Sequence, residues 1–359
     1  MAEVVVEEGW TILKVISLIS SAIGLVGFLE SNIPHGFIAS PLYSSVRIAV
    51  ALNGDKGEPG ALRHAAGEAP LVNAFNENQH LCGQTGDLDH PYINSGSFYE
   101  MIIGQGTLGP GEQATYLQII PTTNELCIAY ISQKWSDGTS RGWVGDMAKG
   151  CGRDWYYSNV VVGHSYKPTC AWVDNDHSHG IVTAALQIHM QDFTNLTGNY
   201  TKDPSFYCRH PTMFFQAEAS DYHWQHDHRL KKKPKNIKFW DASDPSRTAE
   251  PTENDGVGKL RRRNRLQRRS GLSAFSHLIA SRHDKHSARE LCEDAHSHGP
   301  DFFSSSEGVF CDMDAKMHWP LCNGTTTTEG DGCYHWDTHS LVLGAERRPR
   351  NYSRVEEWE

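Results

Sequence analysis

Residues 125–147 read ELCIAYISQKWSDGTSRGWVGDM: a β-branched and aromatic run, a break at Ser136-Asp137-Gly138, and a second such run. Asp-Gly between two apolar runs is a hairpin signal, because glycine accepts the positive φ that a tight turn demands. The stretch therefore predicts strand, turn, strand (125–135 and 140–147). Working outward, similar runs recur at SVRIAVAL (45–52), SFYEMIIG (97–104), QATYLQII (113–120), YYSNVVVG (156–163), TCAWVDN (169–175) and IVTAALQIHM (181–190). Gly, Asn, Asp and Pro separate them, and no long amphipathic helix lies among them. Short strands at this spacing predict an all-β chain with an antiparallel β-sandwich or jelly-roll-like core, assigned to residues 41–228.

The 359 residues carry 38% hydrophobic and 21% charged side chains, a globular balance with ample material for a core. The formal charge of -10 is unevenly spread. Between Arg229 and Arg269 stand 14 Lys/Arg and five acids, a net of +9 that leaves -19 on the rest. So acidic a remainder makes the chain as a whole a poor nucleic-acid binder, and none is expected as a partner. Residues 229–288 combine this charge with Pro and Gly and few apolar side chains, which predicts a disordered basic linker. Arg268-Arg269 before Ser270 reads as a processing site for kexin-type proteases; a nuclear signal or a plain solvated linker are the alternatives. Beyond it, 289–345 is a Cys-rich segment too short for its own core, expected to pack on the sandwich, and 346–359 is a tail.

Nine cysteines are the disulfide candidates: Cys82, Cys127, Cys151, Cys170, Cys208, Cys292, Cys311, Cys322 and Cys333. No C-x-x-C pair is present, so a thioredoxin-type site or zinc knuckle is not supported, and an odd number leaves at least one thiol over. A bridge across the linker, for instance Cys208 to Cys292, would hold cleaved pieces together. Sequons at Asn195, Asn199, Asn323 and Asn351 add glycan acceptors. In residues 1–40, the run Trp10–Leu29 carries one charge, Lys14. Its uncharged part, Val15–Leu29, suits a signal-peptide core better than a membrane span of about 20 residues. Glu3, Glu7 and Glu8 oppose that reading, so a cleaved leader, an uncleaved anchor and an N-terminal helix of the fold stand side by side. The expected location is secreted, alternatively membrane-anchored in the secretory pathway, with membrane contact only through this segment.

Twenty histidines supply the candidate chemistry. Asp174, Asp176, His177 and His179 place two imidazoles and two carboxylates within six residues, and in a strand His177 and His179 would share a face. His226 and His228 form a second cluster, and His335 and His339 would align on one helical turn. A divalent metal is the cofactor such groups would hold. The G-x-S-x-G match at Ser140 falls in the Asp-Gly hairpin without the strand-turn-helix a nucleophile elbow needs. Trp143, Trp155, Tyr156 and Trp172 are candidates for an aromatic ligand platform, against the alternative that they are core.

The segments Trp10–Pro34, Cys127-Ile-Ala, Cys151-Gly-Arg-Asp-Trp-Tyr-Tyr-Ser-Asn159, Cys170-Ala-Trp-Val-Asp174, Gly299-Pro-Asp-Phe and Glu307-Gly-Val-Phe-Cys-Asp-Met-Asp314 resemble a group of fungal, mostly secreted proteins of unknown function. The resemblance covers much of 10–190 and 295–325, omits the basic linker, and implies a β-rich extracellular protein without assigning catalytic residues. The resulting expectation is a secreted glycoprotein module that binds a cell-surface glycan or a partner protein. The alternatives are a metal-dependent enzyme acting on a carbohydrate or small metabolite through the His clusters, and a processed, effector- or toxin-like protein.

Overall fold

The computed structural model describes residues 43–52, 65–78, 80–85, 91–104, 113–122, 125–163, 165–177, 180–193, 204–209, 211–218, 277–322 and 332–359. In chain order the strands are β1 (Tyr43–Val50), β2 (Gly67–Glu68), β3 (Leu71–Phe75), β4 (Leu81–Gln84), β5 (Tyr92–Ile93), β6 (Phe98–Gly104) and β7 (Tyr116–Ile120). Next come β8 (Leu126–Lys134), β9 (Ser140–Val144), β10 (Trp155–Tyr157), β11 (Thr169–Val173), β12 (Ala185–His189) and β13 (Met213–Gln216). The C-terminal strands are β14 (His277–Ser281), β15 (Asp301–Ser304), β16 (Val309–Asp312), β17 (Met317–Pro320), β18 (Cys333–His335), β19 (Ser340–Leu343), β20 (Glu346–Pro349) and β21 (Arg354–Trp358). Two short helices, α1 (Asp146–Gly150) and α2 (Ala288–Glu293), complete the regular elements. Among the described residues no helix is long and apolar enough to cross a membrane.

The opening hairpin forms where the sequence puts it. β8 and β9 pair antiparallel from Tyr130↔Val144 to Lys134↔Ser140. Gly138 sits at φ 85°, and Asp137 Oδ1 accepts hydrogen bonds from Thr139 N (2.8 Å) and Thr139 Oγ1 (2.6 Å). β9 ends sooner than the apolar run, because Gly145 turns the chain into α1. A Cβ on Gly145 would lie 2.4 Å from the Thr169 carbonyl oxygen and 2.6 Å from Cys170 Cα, so only glycine fits. The run 156–163 also stops early: Asn159 takes φ 54°, and the ladder ends at Tyr157.

The first sheet runs β10-β11-β8-β1-β6 with β9 also on β8, and the second runs β13-β12-β7-β3-β4. Alternating side chains from each face inward: Val46 and Ile48 from the first, Val72, Leu117, Ile119 and Ile188 from the second, all buried in one core. The sheets meet at β4 and β6, where a Cβ on Gly83 would overlap the Gly104 carbonyl. The sandwich expectation holds.

The C-terminal part departs from expectation. A third sheet runs β17-β16-β15-β14-β21, and β14 pairs parallel with both β15 and β21. β14 lies inside the segment 229–288 assigned to the linker, and β21 lies inside the supposed tail. Both are strands because their apolar alternation finds partners that are distant in sequence. Ile279, Phe302, Cys311 and Trp358 join the main core. Leu278, Ala280, Phe303 and Phe310 face the other way, onto Tyr334 and Leu341 of the small sheet β18-β19-β20. α2 starts at Ser287, whose hydroxyl accepts the Glu290 N–H, an N-cap that satisfies one of the helix's free donors.

Eight cysteines form four disulfides: Cys127–Cys170, Cys151–Cys208, Cys292–Cys311 and Cys322–Cys333. Cys82 is buried, takes no part in a disulfide and leaves the candidate list. The expected Cys208–Cys292 bridge does not form, since each sulfur has a nearer partner on its own side of residues 219–276. Four disulfides point to an oxidising compartment. The leader (1–40), the basic segment through residue 276 with Arg268 and Arg269, and Asn195, Asn199 and Asn323 lie outside the described residues; Asn351 is exposed.

Candidate functional site

The structure does not assemble the predicted metal cluster from its described members. His177 adopts φ 57° beyond β11, with Nδ1 2.7 Å from the Ile181 carbonyl oxygen and Nε2 2.8 Å from that of Ala217. Both ring nitrogens face carbonyl oxygens, so the imidazole ties the β11–β12 connection to the end of β13 and neither nitrogen is open to a metal. Asp174 is buried while Asp176 is exposed, so the two carboxylates part. His179, His226 and His228 lie outside the described residues. Among the described residues no three His, Cys, Asp or Glu side chains gather as a metal-binding group. His335 closes β18 and His339 sits at φ 44° in the following turn, so this pair shares no helix either.

The aromatic platform is also corrected. Trp143, Trp155, Tyr156 and Trp172 are all buried. Trp143 Nε1 points at Met213 Sδ (3.2 Å). The others form the joint to the third sheet: Trp155 Nε1 donates to Asp294 Oδ2 (2.6 Å), Trp172 Nε1 to the His298 carbonyl (2.8 Å) and Tyr156 OH to the Pro300 carbonyl (2.8 Å). Gly299 packs flat on Tyr156, whose ring a Cβ would meet at 2.5 Å. Beneath them Asp154 is buried, with Oδ1 2.9 Å from His298 Nε2 and 3.7 Å from His296 Nδ1, and Oδ2 accepting Val182 N–H at 2.9 Å. Burial alone would push this carboxyl up. The His298 charge and the hydrogen bonds from His296, His298 and Val182 outweigh it and hold Asp154 well below the ordinary carboxylate range.

Two surfaces were not singled out by the sequence. The first is the edge of the first sheet. β6 ends that sheet, and its outward positions are Phe98, Glu100 and Ile102, opposite Ala49, Arg47 and Ser45 of β1. Phe98 is 50% exposed and Ile102 46%, with Tyr43, at the start of β1, 38% exposed. Arg47 is buried, its Nε donating to Glu100 Oε1 at 2.8 Å and its guanidinium 4.1 Å from the Phe98 ring centroid. The Tyr130 hydroxyl oxygen accepts from the same guanidinium. Arg47 thus neutralises the only charge on this face of β6 and holds the Phe98 ring from below. The signal was present: in SFYEMIIG both alternating sets carry apolar residues, which an edge strand with one solvated face does not require.

The second surface is the face of the second sheet turned away from the core. Asn73, Gln118 and Gln216 form a buried amide row, with Asn73 Nδ2 donating to Gln118 Oε1 (3.1 Å) and Gln118 Nε2 to Gln216 Oε1 (2.8 Å). At its β12 end His189 lies between Asp192 (Nδ1 to Oδ2, 2.9 Å) and Glu77 (Nε2 to Oε1, 2.9 Å), stacked on Tyr116 with centroids 4.1 Å apart. Burial lowers the affinity of His189 for a proton, but Asp192 and Glu77 outweigh it and raise the imidazole above its ordinary value. This cluster clamps the 3-10 turn Met190–Asp192 to the loop after β3. The row's amides serve one another and are covered, so this face is a poorer docking surface than the β6 edge. Period-two polarity in Ala185-Leu-Gln187-Ile-His189 was the sequence clue.

Compared with protein-family models the chain matches none, and no curated protein is found similar to it. Fold and sites define a β-rich protein closed by four disulfides.

Proposed function

We propose that this is a secreted, disulfide-stabilised binding protein that engages a partner protein through the exposed edge of its first sheet. The observation that carries the reading is the stripe Phe98–Ile102 along β6, continued by Tyr43 at the start of β1, whose one charge, Glu100, is already paired with Arg47. Edge strands expose backbone donors and acceptors that invite another strand, and proteins ordinarily blunt them with free charge. Here the charge is neutralised and the flanking side chains are apolar, the combination that strand addition uses. An aliphatic side chain in the stripe favours a protein over a glycan, since sugar rings stack on aromatic faces. The resemblance to fungal secreted proteins fits an extracellular partner on a cell surface.

Binding of the purified protein to intact cells, protease-treated cells and deglycosylated cells tests this. Protease treatment is expected to abolish binding and deglycosylation to spare it. Phe98→Asp and Ile102→Asp are expected to weaken it by about tenfold or more, the scale of a lost interface anchor. Wild-type binding by both variants would overturn the proposal.

A further inference from the structure

On the outer face of the second sheet Asn73, Gln118 and Gln187 lie level across β3, β7 and β12, with Phe75 and Tyr116 on one side of them and Ile120 and Ala185 on the other. All are buried, Gln118 to 0% exposure. Side chains standing on one sheet shield one another's flanks and leave their tips to solvent, so burial to this degree needs a further layer on top. The described apolar side chains that cluster with Phe75, Tyr116, Ile120 and Ala185 are Leu71 and Leu81, which stand on the same sheet and cannot form that layer.

Composition points to one piece of the chain outside the described residues. Residues 219–276 are densely charged, and 53–64, 105–112, 194–203 and 323–331 are short and rich in Gly, Asn, Thr and charge. Trp10–Leu29 instead has apolar residues at Ile12, Val15, Ile16, Ile19, Ile23 and Val26, the spacing of one helix face, with Lys14, Ser17, Ser21 and Gly24 opposite. Twenty residues of helix measure about 30 Å, whereas five strands about 4.8 Å apart span about 19 Å, so one such helix crosses the whole sheet. The chain enters the described residues at Tyr43, level with Gly104, whose carbonyl oxygen packs on Gly83 of β4, the edge strand of the second sheet. Residues 30–42 reach up to about 45 Å when extended, enough to round that edge.

We propose that Trp10–Leu29 is retained in the mature protein and lies as an amphipathic helix across the outer face of the second sheet, its apolar stripe on Phe75, Tyr116, Ile120 and Ala185. Of the three readings of this segment that the sequence leaves open, the buried face selects the helix of the fold. The face belongs to a different sheet from the β6 edge, so either site can fail alone.

The full chain with the photoreactive residue p-benzoylphenylalanine in place of Ile16 or Ile19 tests the placement. Irradiation followed by peptide mass spectrometry is expected to join each position to β3, β7 or β12 of the same chain. Cross-links to a second copy, or none to the second sheet, would overturn the proposal, as would a mature protein whose first residue lies beyond Leu29. Ile16→Asp and Ile23→Asp set a charge into the covered face. Amide hydrogen exchange in Tyr116–Ile120 and Ala185–His189 is then expected to rise about tenfold or more. Ser17→Asp and Ser21→Asp, on the opposite side, are expected to leave it within about twofold. Equal exchange in the two pairs of variants would also overturn the placement.

Discussion

Asp154→Ala attacks the joint between the sandwich and the third sheet. The carboxylate serves His298, His296 and the Val182 N–H from a site that solvent barely reaches. Removing one member of a buried charged pair costs about 3–5 kcal/mol, because the partners stay buried. Asp154→Asn keeps the shape and one acceptor, so the loss falls to about 1–3 kcal/mol, the cost of one unsatisfied group. The pH dependence carries the sharper test. The folded carboxyl lies below its ordinary value, so its contribution is present above the unfolded value near 4 and is lost as pH falls through the folded one. Denaturant unfolding under non-reducing conditions from pH 7 to pH 3 should therefore give a wild-type advantage over Asp154→Asn that is constant above about pH 5 and shrinks below about pH 4. An advantage that is zero, or that stays level to pH 3, would refute the reasoning.

Asp146 behaves oppositely: burial raises its carboxyl to about 6 against hydrogen bonds from Thr169 and Tyr166 and the Lys149 charge. Its folded value exceeds the unfolded one, so stability falls as pH climbs from about 4 to 6, and Asp146→Asn should gain up to about 3 kcal/mol at pH 8 and nothing at pH 4 in thermal unfolding. An equal effect at both pH values would contradict this. Cutting between Glu218 and His277 with added trypsin should give two chains that co-elute in native gel filtration yet separate in detergent without reductant, because no described disulfide spans that interval. Separation in native buffer would contradict the strength assigned to the Trp155, Tyr156 and Trp172 joint.

The sandwich was readable because β1, β6, β8, β11 and β12 are long enough to display their apolar runs and are punctuated by turn residues. β3 escaped, since Asn and Ala interrupt Leu-Val-Asn-Ala-Phe, and β15, β16 and β17 are only four residues each. β14 was lost because its five residues are separated by only seven from a highly charged stretch whose composition swamped them. Sites were less legible than strands. The His177 ring is occupied by a carbonyl 40 residues away, and Asp154 finds His298 across 144 residues, neither of which local spacing encodes. The Trp and Tyr residues stood out in the sequence, but whether a ring faces solvent depends on a sheet that begins more than 100 residues later.

β21 lies directly beside β14, with Arg354 registered against His277. A ribosome must therefore add 77 residues after His277 before that pairing can start. Until then the flank of β14 that will receive β21 is bare, and parallel pairing over such a separation is slow. The nascent chain consequently passes through a stage in which its third sheet can recruit a stray strand, and a folding helper would act at that stage.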